Sequence, residues 1–188
     1  MEVKFLPATR DDVEKIYFDM KAVMCAYEKK HVLMLEDELM ELYNRIKANL
    51  SYYRIVRYMG NSVGHFCFRA SEEHMVIEDI CIDNYFRYKG ACTQILRKCI
   101  SETELPIVAE MYATNTAAVS VFRTNGFIIK EWINDRKFVM IYKNDQPFSG
   151  GDFSVDQRIS DFIKNSVKPE KTIKKTRSRK RDKEKNKA

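Results

Sequence analysis

A mixed α/β fold is the architecture this sequence predicts, and three observations predict it. Residues 10–49 carry two stripes of apolar residues at helical spacing. Residues 52–70 hold two β-rich runs joined by a Gly-Asn pair, the pattern of an antiparallel hairpin. Residues 75–113 read strand, helix, strand, the pattern of a crossover. Apolar residues make up 45% of the 188, enough to build a core and to exclude a disordered chain as a whole. Only 6 Gly and 4 Pro occur, which excludes collagen-like and Pro/Gly-rich low-complexity proteins.

The elements follow in order. Val3 to Leu6 is a short strand. Thr9 then opens a helix, with Asp12 placed as the acid of a capping box. Val13, Ile16, Tyr17, Met20, Val23, Met24 and Tyr27 form its apolar stripe over residues 10–28. Leu35, Leu39, Leu42 and Ile46 mark a second helix over 35–49. Both stripes are read as core and not as ligand contacts. Tyr52 to Met59 is a strand, Gly60-Asn61 its turn, and Ser62 to Ala70 the return. A turn near Ser71-Glu72-Glu73 leads to a strand over 75–83, MVIEDICID, with acids inside an apolar run. Residues 90–103 are a helix with Ile95, Leu96, Cys99 and Ile100 inward. Pro106 to Ala113 is a strand and Asn115 to Asn125 a short helix. Residues 127–133 and 137–143 make a last hairpin around Asn134-Asp135-Arg136. One more short helix is expected at 155–166. No internal repeat is present at periods of 20–50 residues.

The charge is uneven. Residues 164–188 hold 12 Lys and Arg against Glu170, Asp182 and Glu184, a net +9, which leaves −3 for residues 1–163 of a chain at +6. Past Ile173 the tail has no large apolar residue to offset the entropy of ordering it. Three segments are therefore expected: a domain over 1–145, an extension over 146–166 and a disordered basic tail over 167–188. The tail is read either as an arm for nucleic acid or another polyanion, through counterion release, or as a solvated tail. KKTRSRKR would serve as a nuclear-import signal only in a nucleated host.

No run approaches the ~20 apolar residues that span a bilayer. The first residues, MEVKFLPATRDDVEK, lack the apolar stretch of a secretory signal. A cytoplasmic protein without a membrane partner is expected. Cys25, Cys67, Cys81, Cys92 and Cys99 are odd in number, scattered and without a CxxC pair. With His31, His65 and His74 as the only histidines, neither a disulfide framework nor a metal site is expected.

The loop after the strand at 75–83 reads Asn84-Tyr85-Phe86-Arg87-Tyr88-Lys89-Gly90-Ala91-Cys92 and opens a helix. A helix start presents unpaired backbone N–H groups, and its dipole favours an anion. Gly90 lets the backbone approach a ligand closely. Ala91 and Cys92 are small, and Arg87 and Lys89 add positive charge.

This stretch resembles the acetyl-CoA signature of the GNAT acetyltransferase superfamily, Arg/Gln-x-x-Gly-x-Gly/Ala after a strand. Arg87, Gly90 and Cys92 occupy its positions, with Cys92 where Gly or Ala is usual. Residues 115–127 resemble the family's closing motif, Asn-x-x-Ala-x-x-x-Tyr-x-x-x-Gly-Phe, through Asn115, Ala118, Gly126 and Phe127. The element order and Ala8-Thr9 after the first strand also match. The resemblance covers residues 2–143. It implies a central, mostly antiparallel sheet flanked by helices, whose fourth and fifth strands run parallel and splay.

The resemblance also implies a site. Acetyl-CoA would lie in the V between the strands at 75–83 and 106–113. Its pantetheine arm would pair with the main chain of Ile80, Cys81 and Ile82. Its pyrophosphate would rest on amides from Arg87 through Tyr88, Lys89, Gly90 and Ala91 to Cys92. Asn115 and Phe122 belong to the cofactor set by the closing motif. Glu110, five residues before Asn115, stands where the ribosomal-protein alanine acetyltransferase branch places its general base. Glu78 and Asp79 are its rivals, and a water-mediated base is a third reading. Phe122 replaces the family's frequent Tyr and has no proton to donate to a leaving thiolate. Solvent, Tyr112 or Tyr88 would then act instead. Cys81 and Cys92 have no neighbouring His in sequence and are read as packing residues.

Two function classes follow. One is an N-acetyltransferase that moves an acetyl group from acetyl-CoA to a primary amine: a protein N-terminus, a lysine, a polyamine or another small amine. The other is a catalytically weakened GNAT-like binding module whose basic arm holds nucleic acid or a large assembly.

Overall fold

The computed structural model describes residues 1–28 and 36–144. The helix expected at 155–166 and the basic segment 167–188 lie outside them. The described elements are β1 (Lys4–Pro7), α1 (Val13–Glu28), α2 (Glu36–Ala48), β2 (Tyr53–Tyr58), β3 (Asn61–Ala70), β4 (Met75–Ile82), α3 (Ala91–Ser101), β5 (Ile107–Tyr112), α4 (Thr116–Thr124), β6 (Ile128–Trp132) and β7 (Lys137–Tyr142). Type and order agree with the sequence reading. The strands form one seven-stranded sheet, β1-β2-β3-β4-β5-β7-β6. Every adjacent pair is antiparallel except β4 and β5.

The helical stripes explain how the sheet is covered. Val13 and Ile16 of α1 and Leu39, Leu42 and Ile46 of α2 pack on Tyr53, Ile55 and Cys67 of β2 and β3. Ile16 and Ile46 are wholly buried, and each such side chain stabilises the fold by about 1.5–3 kcal/mol. The lower half of the α1 stripe is only partly buried: Tyr17, Met20 and Met24 edge this core. α3 buries Ile95, Leu96 and Cys99 and packs against β4 and α4.

Turn chemistry sets the ends. A 3-10 turn at Arg10–Asp12 precedes α1, and Asp12 Oδ2 accepts from the Thr9 amide at 2.8 Å and its hydroxyl at 2.9 Å. The first hairpin turns at Met59-Gly60, one residue earlier than expected, because Tyr58 already pairs with Asn61. Both turn residues have positive φ, 49° and 83°, as a two-residue type I′ turn demands. Met59 meets that demand without being a glycine, so composition hid the position. Asn134 organises the last hairpin, its Oδ1 accepting from the Arg136 and Lys137 amides at 2.8 and 2.9 Å.

Candidate active site

The parallel pairing of β4 and β5 is brief. Met75 pairs with Ile107 and Val76 with Val108, and no further rung follows. The strands then part, leaving a V-shaped opening between Ile77–Ile82 and Ala109–Tyr112. A bulge in β4 helps to open it. Cys67 faces Glu78 and His65 faces Cys81, so Phe66 alone faces both Asp79 and Ile80. Asp79 takes φ 53°, and a bulge of this kind bends its strand.

The bend decides which main-chain groups face the opening. The Asp83 amide bonds Val63 O on β3 at 3.0 Å. By strand alternation Cys81 also faces β3, while Ile80 and Ile82 face the V. The Ile82 carbonyl accepts from Arg87 Nε at 2.9 Å. Arg87 therefore ties the loop to the end of the strand.

The loop ends in Gly90, the N-cap of α3, with φ 84° and no side-chain cap. A Cβ added at Gly90 would meet no heavy atom within 4 Å. The first turn of α3 thus begins beside open space with its amides uncapped, which suits an anion. Tyr88 also has positive φ, 60°, and is 93% exposed. Lys89 Nζ stands 4.2 Å from the centre of the Tyr85 ring, a cation–π contact that holds the charge at the loop.

Glu78 and Asp79 are both engaged. Arg45 of α2 reaches Glu78 Oε2 at 3.1 Å and Asp79 Oδ1 at 3.1 Å. Arg69 of β3 holds Glu78 Oε1 at 2.7 Å. The Tyr53 hydroxyl donates to Asp79 Oδ2. Burial, then the Asp79 charge, pushes the Tyr53 pKa up. The two acids anchor the bulge to α2, β2 and β3.

Beneath them His65 is 1% exposed, with Nδ1 3.6 Å from Asp19 Oδ2. Burial pushes its pKa down to about 4, with Lys15 acting the same way against Asp19, Asp79 and Asp83. His65 is neutral in the fold and charges on unfolding. Its contribution is complete above the unfolded value of about 6.5 and is lost as pH falls through about 4. Denaturant midpoints should fall across that window, and His65→Leu should flatten the fall. An equal fall in both proteins would assign it to the carboxylates.

Glu110 points to the other region. It lies on β5 opposite Val139, and its side chain is 55% exposed. Lys137 Nζ is 3.3 Å from its Oε1. Two residues on, Tyr112 stacks on Tyr27 with ring centres 5.0 Å apart and donates to Glu28 Oε1 at 2.6 Å. Burial, then Glu28, pushes the Tyr112 pKa up, so its proton is held. Tyr27, Glu28 and Lys137 escaped the sequence reading. Tyr27 counted as one more member of a helical stripe, and nothing local signals contacts across 84 positions.

Burial pushes Cys81 up to about 11 and Cys92 up to about 12. Thiolate, the nucleophilic form, is therefore scarce at neutral pH. Among the described residues no group of three or more His, Cys, Asp or Glu is placed to hold a metal ion. Among them too, no helix is long and apolar enough to cross a membrane.

The family model described as the acetyltransferase (GNAT) family matches residues 17–127. The chain belongs to the GNAT acetyltransferase family. No curated protein matches it by sequence. Solved structures share its fold at low identity. The PaiA N-acetyltransferase of Thermoplasma acidophilum, in complex with coenzyme A, is 14% identical with a TM-score of 0.59, covering 76% of this chain and 99% of that one. Ard1 of Thermoplasma volcanium gives 14% and 0.57, covering 76% and 97%. A Corynebacterium glutamicum protein described as histone acetyltransferase HPA2 and related acetyltransferase gives 18% and 0.58, covering 79% and 99%.

The group bound in the Thermoplasma acidophilum structure is coenzyme A. The splayed strands, the uncapped start of α3 and the clear space at Gly90 fit such a group. Two residues of the closing motif have structural duties. Asn115 caps α4, its side chain accepting from the Ala118 amide at 3.4 Å. Phe122 is 3% exposed and meets the Phe127 ring edge-on at 4.8 Å.

Proposed function

We propose that the protein is an N-acetyltransferase acting on a primary amine, with Glu110 as general base. The observation that carries this reading is the exposed Glu110 carboxylate with an ammonium group already beside it, on the strand that opens the V. The acetyl thioester supplies an activated carbonyl when the cofactor is bound. Every other duty falls to the chain. The Arg87–Cys92 segment receives the pyrophosphate on its amides, Ile80 and Ile82 offer main-chain groups to the pantetheine arm, and Glu110 takes the proton of the incoming ammonium. Glu78 and Asp79 keep the bulge in shape, since guanidinium groups hold them both. Phe122 has no proton to give and the Tyr112 hydroxyl is held by Glu28, so the thiolate leaves as an anion; ordinary thiol pKa values near 8.5 make that a tolerable departure.

The cofactor placement makes a separate prediction. Gly90→Glu puts a negative charge where phosphates would sit, on a backbone at φ 84° that costs a side chain about 1–2 kcal/mol. Acetyl-CoA binding by calorimetry should vanish, while Gly90→Ala should retain most of it. Equal binding in both variants would refute the placement.

The test of the activity is release of free thiol from acetyl-CoA with a panel of amines: a peptide with a free N-terminus, a lysine peptide and a polyamine. Amine-dependent release, with acetyl found on the amine nitrogen, is expected. No acceleration by any primary amine, in a protein that acetyl-CoA stabilises against heat, would overturn the reading.

A further inference from the structure

Lys137 opens β7 directly opposite Tyr112. Its Nζ lies 3.3 Å from Glu110 Oε1, 3.6 Å from Glu28 Oε1 and 4.6 Å from the centre of the Tyr112 ring. Arg136 approaches the second Glu28 oxygen at 3.8 Å. A primary ammonium is thus seated between two carboxylates on an aromatic face, touching the very carboxylate to which the base role is assigned. Its side chain is 27% exposed. Lys15 is also shared by two carboxylates, Asp19 at 2.7 Å and Asp83 at 3.3 Å, Lys98 meets Glu102 one turn along α3 and Lys130 meets its neighbour Glu131 on β6, but none of these three touches Glu110.

We propose that Lys137 is a self-acetylation site and the first amine the enzyme modifies. The inference rests on the reading of the V as an acetyl-CoA cleft and of Glu110 as its base. A lysine ammonium must lose a proton before its nitrogen can attack. Glu110 Oε1 stands 3.3 Å from that nitrogen as an ion pair, close to the reach a general base needs. The freed lone pair forms an N–C bond to the acetyl carbonyl carbon, and the C–S bond breaks. Coenzyme A leaves as the thiolate with that electron pair. The proton held by Glu110 returns to the thiolate or to solvent. The products are Nζ-acetyl-lysine and free coenzyme A.

The modification changes the site. Acetylation removes the Lys137 charge and with it the attraction to Glu110 and Glu28. Glu110 then loses its ion-pair partner, while Arg136 stays beside Glu28. A diffusing cationic amine meets a more acidic seat than before. The enzyme thereby prepares its own acceptor site, and turnover with added amine should show a lag that preincubation with acetyl-CoA removes.

The experiment uses the full chain with acetyl-CoA and no added amine, followed by intact-mass measurement, peptide mapping and thermal melting. One acetyl group on Lys137 is expected, formed at a rate unchanged by diluting the protein and lost in Gly90→Glu. Lys137→Arg should fold normally and lose the stoichiometric release of thiol. A second readout needs no cofactor: trace acetic anhydride should label Lys137 less than Lys98 and Lys130, and Glu110→Gln should raise that labelling. An unmodified Lys137 in a protein that acetyl-CoA stabilises would overturn the self-acetylation while leaving the cleft intact. So would labelling spread over the 164–188 lysines and unchanged in Gly90→Glu, which is simple chemical acetylation. No modification and no stabilisation would remove the cleft and the proposal together.

Discussion

Glu110→Gln is expected to lower kcat for an amine acceptor by roughly 10²- to 10⁴-fold, the range a positioned base contributes. Gln keeps the shape of the side chain and can still accept a hydrogen bond, but it cannot carry away an ammonium proton. The side chain is more than half exposed, and its ion-pair partner is Lys137. Surface changes of that kind usually alter stability by less than about 0.5 kcal/mol, so the melting temperature should barely move. The KM for acetyl-CoA should also hold, because no cofactor contact is assigned to the carboxylate. The residual rate should climb with pH toward the amine's own pKa near 10 as the acceptor loses its proton unaided. Full kinetics over pH would check kcat, KM and the pH profile, and a melting curve the stability. A variant with native kcat and a native pH profile would take the base role from Glu110 and return it to Glu78, Asp79 or water.

Gly64→Ala is expected to cost about 1–3 kcal/mol or more. Gly64 pairs with Ile82 across β3 and β4, beside the bulge. A Cβ there would stand 2.2 Å from the Cys81 carbonyl oxygen, 2.8 Å from Ile82 Cδ1 and 3.1 Å from Ile82 Cα. Two of those atoms are backbone and cannot swing aside. β3 and β4 must separate, and the strand that separates is the one read as carrying Ile80–Ile82 to the cofactor. At roughly 2–4 °C per kcal/mol for a chain of this size, melting should fall by several degrees. Acetyl-CoA should also bind more weakly to the folded variant. Native melting and native binding would show that the β3–β4 contact yields without cost.

The contrast between these positions shows what was legible in the sequence. The Arg87–Cys92 loop was legible because its features are contiguous: a strand, a basic residue, a glycine and the start of a helix. The helices over 10–28 and 35–49 were legible through their spacing, and the burial of Ile16, Leu39, Leu42 and Ile46 follows it. The bulge was not. MVIEDICID reads as one straight apolar strand, and only its pairing with β3 shows the extra residue at Asp79. Glu78 and Asp79 therefore read as rival bases, since Arg45 and Tyr53 lie 26 to 34 positions away and Arg69, nine positions from Glu78, gives no local signal of pairing. The seat around Glu110 was half legible. Its distance from Asn115 is local, but Glu28, Tyr112 and Lys137 meet only because α1, β5 and β7 converge. The turn at Met59-Gly60 was missed by one residue because backbone geometry, not residue type, placed it.

The V between β4 and β5 is read as a working acetyl-CoA cleft. Thermal melting with and without acetyl-CoA tests it most directly, with Gly90→Glu as the control. At ~100 times its dissociation constant a ligand that binds only the folded state adds about 2.7 kcal/mol, so the native chain should melt several degrees higher and the variant should not respond. Equal melting of the native chain with and without acetyl-CoA at such concentrations would contradict the account.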